Sequence, residues 1–122
     1  MATLLVNTGK AIITNYLAGG AATQPKYVAW GTGAGTTAAT DTTLFTETGT
    51  RVAGTTTQQT TSTTNDTYQV IGTLTAGGAL AITNAGLFDA LTVGNLFVKG
   101  DFSTINLTTG DSIQFTVKTQ FS

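Results

Sequence analysis

The groups in this chain that could do chemistry are few, and the most conspicuous is the glycine-rich stretch GTGAGTTAATD, residues 31–41. A phosphate-binding loop needs a lysine directly after its last glycine, or the spacing G-x-G-x-x-G opening a helix in a βαβ unit. Here no lysine follows, and Gly31, Gly33 and Gly35 stand among segments that favour strands. The sequence therefore predicts a turn, with no phosphate or cofactor site.

Six carboxylates, four lysines and Arg51 remain for acid–base or metal chemistry, because the chain has no histidine and no cysteine. That composition excludes the usual zinc sets and the Ser-His-Asp and Cys-His systems, and no acidic run resembles a calcium loop. A carboxylate pair could serve a glycosidase, but five of the six lie beside glycine, threonine or serine, where acidic side chains cap backbone N–H groups. We therefore predict no catalytic, metal or cofactor residues and no enzyme activity. The six are Asp41, Glu47, Asp66, Asp89, Asp101 and Asp111.

The composition indicates a β protein that packs against neighbours. Charged residues make up 9% of the chain and the formal net charge is −1, where soluble domains are about 25% charged. Threonine supplies about a quarter of the residues, and its branched side chain suits a strand while its hydroxyl keeps the outer face wet. A weakly charged surface favours association, so we expect a homo-oligomer; a monomer with a polar coat is the alternative. Without a basic patch, no nucleic-acid partner is predicted.

The chain shows no targeting or membrane segment. Its start, MATLLVNTGK, lacks a basic region and has an apolar run of only three residues, so it does not resemble a signal peptide. No stretch approaches the roughly 20 apolar residues of a membrane-spanning helix. We expect no membrane partner and synthesis in a cytoplasm. The length of 122 residues predicts one domain, 1–122, with residues 1–10 as a candidate N-terminal arm.

Two short helical segments are predicted near the N-terminus. The apolar residues of TGKAIITNYLA, residues 8–18, recur at helical spacing, and a Gly-Gly pair follows as a stop. Asp41 resembles an N-cap for a single helical turn, TTLFTE, that would bury Leu44 and Phe45.

Strand patterns fill most of the remaining chain. KYVAWG, TYQVIGTLT, GNLFVKGDF, STINLTTGD and DSIQFTVKTQFS favour strands. In the last of these, alternation predicts one buried face; it carries Ile113, Phe115, Val117 and Phe121. Threonine-rich residues 55–64 are predicted to form a solvated β-ribbon of two strands, or one long edge strand. Together these patterns predict a mainly β fold, an antiparallel, jelly-roll-like β-sandwich of about seven to eight strands with one or two short helices near the N-terminus.

The order of these segments resembles a group of small structural proteins of tailed bacteriophages. The resemblance is carried by WGTG, by Asp41 leading to LFTE and Arg51, by YQVIGTLT and ITNAGLFDA, and by GNLFVKGDF with INLTTGDSIQFTVKTQF. The pattern looks like that of head-decoration (cement) proteins and, in related form, of the N-terminal domains of tail-fibre and baseplate proteins. It implies a non-enzymatic virion protein on the capsid exterior, often a trimer, that binds the major capsid protein and stabilises the head. A tail-fibre or baseplate adaptor is the alternative.

Candidate contact residues follow from the resemblance. The apolar Leu4, Leu5 and Val6 are a candidate arm that inserts into a neighbour, or they pack on their own sandwich. Trp30, the sole tryptophan, is either an interface anchor or a core residue. Glu47 and Arg51 would form a bridge between subunits or an ion pair within one chain.

A carbohydrate-binding module is the further alternative. Its hallmark is two or three exposed aromatic rings on one surface. In the sequence, Tyr16, Tyr27, Trp30 and Tyr68 lie on different predicted elements, so no such surface is predicted.

Overall fold

Two antiparallel sheets carry most of the described chain, which is residues 3–122 of a computed structural model. One helix, α1 (Asn7–Leu17), lies near the N-terminus. The described strands are β1 (Thr3–Leu5), β2 (Tyr27–Gly31), β3 (Glu47–Ala53), β4 (Thr55–Gln59), β5 (Thr67–Thr75), β6 (Leu80–Phe88), β7 (Leu96–Leu107) and β8 (Ser112–Gln120). The mainly β prediction is confirmed. The helix is too short to cross a membrane.

The large sheet has the order β1-β7-β6-β2-β3, and the small sheet has the order β4-β5-β8. The chain passes from one sheet to the other at Gly54, between β3 and β4. A Cβ on Gly54 would overlap Val70 Cγ1 and lie 2.9 Å from the Ile71 carbonyl oxygen, so a side chain there would require β5 or the chain at residue 54 to shift. The glycine therefore permits the close crossing that makes a sandwich from consecutive strands.

The inner face of the large sheet packs on the small sheet through an apolar core. Val28, Trp30 and Leu87 from the large sheet meet Val70 of β5 there, and all four are buried. The Trp30 ring makes an edge-to-face contact with Phe115 of β8, with 6.4 Å between centroids, an arrangement that aromatic pairs favour. Alternating side chains on both sheets thus form one core, as in other sandwiches.

The outer face of the large sheet is covered by an irregular segment, residues 32–46, which we call the covering loop. Its Leu44 packs in a second apolar cluster with Val6, Ala29 and Phe88. The predicted helical turn in this segment is wrong. Asp41 accepts a hydrogen bond from the Ala38 backbone N–H behind it, so its carboxylate closes a turn and does not cap a helix after it.

The helix and the strands β2, β5 and β8 lie where the sequence predicts them, and two other strand predictions need correction. GNLFVKGDF and STINLTTGD are predicted as separate strands, but Leu96–Leu107 form the single strand β7, which continues through a register shift in its pairing with β6. The predicted ribbon contains one strand, β4, paired with β5, and residues 60–66 form a loop. On β8, Ile113, Phe115 and Val117 pack on the core, but Phe121 follows the strand and is 45% exposed.

Candidate interaction surface

A buried lysine joins the covering loop to the large sheet. Lys99 of β7 is fully buried, and its Nζ donates hydrogen bonds to Asp41 Oδ2 and to the Thr43 carbonyl, both at 2.9 Å. The same Nζ lies 3.2 Å from the centroid of the Phe45 ring, a cation–π contact. The Ala38 N–H and Lys99 together lower the pKa of Asp41. The ammonium therefore has a carboxylate, a carbonyl and a ring as partners, which compensates for its removal from water.

A second buried cation holds the loop between β6 and β7. Arg51 of β3 forms a two-pronged ion pair with Glu47, at 2.7 and 2.9 Å, and donates to the carbonyls of Ala90 and Val93. Its guanidinium carbon lies 3.6 Å from the centroid of the Phe88 ring. Because Glu47 and Arg51 are four apart on a strand, they share a face. In the described chain their ion pair is intramolecular, and a bridge between subunits stays a prediction.

The glycine-rich stretch forms the first part of the covering loop and packs against the second part of the same loop. Gly33 N–H donates to the Phe45 carbonyl at 2.9 Å, and a Cβ on Gly35 would lie 2.7 Å from the Phe45 ring. The buried Asn84 of β6 accepts from Phe45 N–H and donates to its carbonyl. Close packing thus requires glycine at positions 33 and 35, and the Gly33 N–H is used within the protein. Residues 32–38 form an irregular segment that packs on the rest of the covering loop.

The six carboxylates all have structural partners. Five of them accept hydrogen bonds from backbone N–H groups, and the sixth, Glu47, pairs with Arg51. The five are Asp41, Asp66, Asp89, Asp101 and Asp111. Asp66 shows the pattern most fully, since three successive N–H groups from Thr61 to Thr63 point at it. Those bonds hold its pKa well below the usual range. Among residues 3–122, no group of three acidic side chains is placed to hold a metal ion.

The apolar residues predicted to make contacts with neighbouring subunits are buried to different extents. Trp30 is 2% exposed and Val6 is fully buried, so each already has neighbours within the chain. Leu5 is partly buried against the core, and Leu4 is 36% exposed on β1, the outermost strand beside β7. Of these four, Leu4 has the most free surface for a neighbouring subunit. Whether these residues make contacts in an assembly stays a prediction.

An aromatic surface that the sequence did not predict lies between α1, β5 and the C-terminus. Tyr16, Tyr68 and Phe121 converge there on one cavity of about 400 Å³. Tyr68 donates from its hydroxyl to the Pro25 carbonyl at 2.8 Å and packs edge-to-face on Phe97. Burial raises the pKa of Tyr68 to about 12. Alternation in the sequence predicts Phe121 on the buried face of the last strand, but no sequence signal shows that it lies beside α1 and β5.

Two packed antiparallel sheets with a covering loop define the chain as a β-sandwich protein. Residues 5–120 match the model of the family described as Podophage GP4 fiber I protein gp80. The match covers nearly the whole sequence, and the chain belongs to this family of phage virion structural proteins, which are related to tail fibres. The phage virion assignment predicted from the segment order is confirmed at that level. No curated protein and no solved structure matches the chain significantly.

Proposed function

We propose that the chain is a non-enzymatic structural subunit of a phage tail fibre. The observation that carries this proposal is the match of residues 5–120 to a family whose name is that of a fibre protein. It favours the adaptor or fibre role, which the sequence resemblance gave as its alternative. Decoration of the capsid exterior, the role that the resemblance favoured, is the competing location in the same virion.

The state of the carboxylates supports a role without catalysis. A general acid or base must be free to exchange a proton with a substrate. Here each carboxylate is engaged in holding a turn, a loop or a cation, as described above for Asp66 and Asp41. The low pKa of Asp66 keeps it ionised, which suits a hydrogen-bond acceptor and not a proton donor.

The unpaired strand edges support assembly through neighbouring subunits. β8 pairs with β5 along nine residues without a register shift, and its other edge has no strand beside it within the described chain. Lys118 is the only charged residue on that strand, and no proline interrupts it, so the usual protection of an edge is weak. We propose a homo-oligomer, with a trimer favoured, whose other partners are virion proteins and include neither nucleic acid nor membrane.

Fractionation of virions tests the location. Heads and tails are separated on a density gradient, and both fractions are blotted with an antibody to the chain. Signal confined to tails is the expected result. Many copies per head, with binding to undecorated capsids, would replace the fibre proposal by capsid cement and make the major capsid protein the partner. Signal in neither fraction would contradict both locations.

A further inference from the structure

The cavity between α1, β5 and the C-terminus joins a second, polar cavity. The first, the aromatic half of the site, is lined by Tyr16, Tyr68 and Phe121. The second has a volume of about 340 Å³ and shares Gln24, Tyr68 and Phe121 with the first. Because they share these residues the two cavities are adjacent, and we call the pair the groove; each has a volume within the usual size range of ligand sites.

The aromatic half of the groove presents two accessible rings beside a third ring that is held in place. Tyr16 and Phe121 are 46% and 45% exposed. Tyr68 is fixed by its hydrogen bond to the Pro25 carbonyl and by its contact with Phe97, at 5.9 Å between centroids. A ring held in this way loses little freedom when a ligand stacks on it.

The polar half of the groove presents hydroxyl and amide groups with almost no charge. Its uncharged polar side chains come from the segment before β2, from β4, and from the start of β5 with the loop before it; they are Gln24, Thr56, Thr57, Gln58, Asn65 and Thr67. Asp66 is the single charged residue lining either cavity, and its oxygens already accept the backbone bonds of its own turn. The groove therefore offers neutral donors and acceptors beside aromatic faces.

We propose that this groove binds a neutral oligosaccharide. A sugar ring has an apolar C–H face, which stacks on aromatic rings, and a rim of hydroxyl groups, which pair with side-chain amides and hydroxyls. No lysine or arginine lines either cavity, so an anionic ligand would lack a counter-charge. An apolar surface of a second copy would cover the polar half and leave its amides unpaired, which is costly. Gln24, whose amide now donates to Thr56 at 3.0 Å in an exposed position, is placed to turn toward a sugar hydroxyl.

Titration with defined sugars tests the proposal on the full chain. The probes are maltohexaose, cellohexaose, mannohexaose and N-acetylchitohexaose, each followed through amide chemical shifts in NMR spectra. At least one is expected to give saturable shifts clustered around Tyr16, Tyr68 and Phe121. No saturable shift with any of the four at millimolar concentration overturns the proposal. The same shifts on raising protein concentration without sugar would assign the groove to a second copy and also overturn it.

Matched variants connect the binding to the rings. Tyr16→Ala and Phe121→Ala remove exposed side chains, and each is expected to weaken the best sugar roughly tenfold. Leu91→Ala is the control, because Leu91 is 49% exposed and lines a different cavity, with Arg51. Unchanged affinity in both ring variants, or an equal loss in the control, would contradict a stacking site. The result is independent of the fractionation experiment, since the groove could bind a sugar whether the chain is located in a tail fibre or on the head.

Discussion

The two faces of the large sheet are buried by different means. The inner face meets the small sheet through apolar side chains such as Trp30 and Leu87. The outer face meets the irregular covering loop, and there Lys99 and Asn84 are fully buried beside the apolar residues. One face is covered by a second sheet with its own hydrogen-bonded ladder. The other is covered by a segment without a ladder.

This difference shows why the outer face needs polar side chains. Backbone N–H and C=O groups in the covering loop have few strand partners, and buried groups of that kind must be paired. Asn84 pairs with both the N–H and the carbonyl of Phe45, and Lys99 binds the carbonyl of Thr43. On the inner face the covering strands pair their backbone groups within their own sheet, so apolar packing is enough to bury it. We therefore expect variants of the inner face to lose stability when side-chain volume is removed. Variants of the outer face should lose stability when a buried charge is left unpaired or when an added atom overlaps a neighbour.

The largest loss is expected on the inner face, from Trp30→Ala. Removing a buried ring leaves a cavity beside Phe115, and such substitutions cost about 3–5 kcal/mol. Denaturant unfolding measures the change. Trp30→Phe is the control, since it keeps an aromatic ring in the same place and should cost clearly less. Equal losses in the two variants would indicate that volume is not what the inner face requires.

On the outer face, we expect Asp41→Ala to lower the stability by leaving a buried charge unpaired, and a double variant tests this cause. Removing the carboxylate leaves the Lys99 ammonium buried with only the Thr43 carbonyl and the Phe45 ring, at an expected cost of about 2–3 kcal/mol. Adding Lys99→Met removes the charge while keeping an unbranched side chain, and it should recover part of the loss. Chemical unfolding of the four species in this cycle is the measurement. A double variant less stable than Asp41→Ala would contradict the charge argument.

These contrasts also mark what the sequence could predict. Alternation of apolar residues predicts β5 and β8 because both face the inner core, where period-2 burial is simple. The ion pair on the outer face could not be predicted, because Asp41 and Lys99 are 58 positions apart and no local pattern relates them. Asp41 therefore resembled a helix cap. The sequence divides β7 after Phe102, where the pairing with β6 shifts register between Ile82 and Asn84, but the strand continues through the shift.

The glycine loop should show a smaller loss, and it has a matched control. Gly35→Ala brings a Cβ to within 2.7 Å of the Phe45 ring, so the ring that contacts Lys99 must shift, at a cost of about 1–2 kcal/mol. Gly77→Ala adds a Cβ where no atom lies within 4 Å, and it should be neutral or slightly stabilising, by about 0.5 kcal/mol. Thermal unfolding compares the two. Equal Tm values would mean that the glycines do not serve the packing of the covering loop.

The smallest effect is expected at Tyr68, which is partly buried and packs against the inner-face core. Its pKa is raised to about 12 in the fold, above the usual value of about 10, so the fold favours the neutral phenol. Its contribution to stability is complete below pH 10 and is lost as pH rises from 10 through 12. Tyr68→Phe should lose about 1 kcal/mol with the Pro25 hydrogen bond and should abolish this part of the alkaline decline. Ultraviolet titration follows the phenolate, and an unchanged profile in the variant would contradict the assignment.

Cross-linking mass spectrometry of intact virions tests the central claim, a structural subunit of the tail fibre, most directly. Lys10 on α1 and Lys118 on β8 are exposed, whereas Lys99 is fully buried and serves as an internal control. The account predicts lysine cross-links from positions 10 and 118 to tail proteins or to a second copy of the chain, and none from Lys99. Cross-links to the major capsid protein alone would contradict the fibre assignment, and cross-links from Lys99 would contradict the fold.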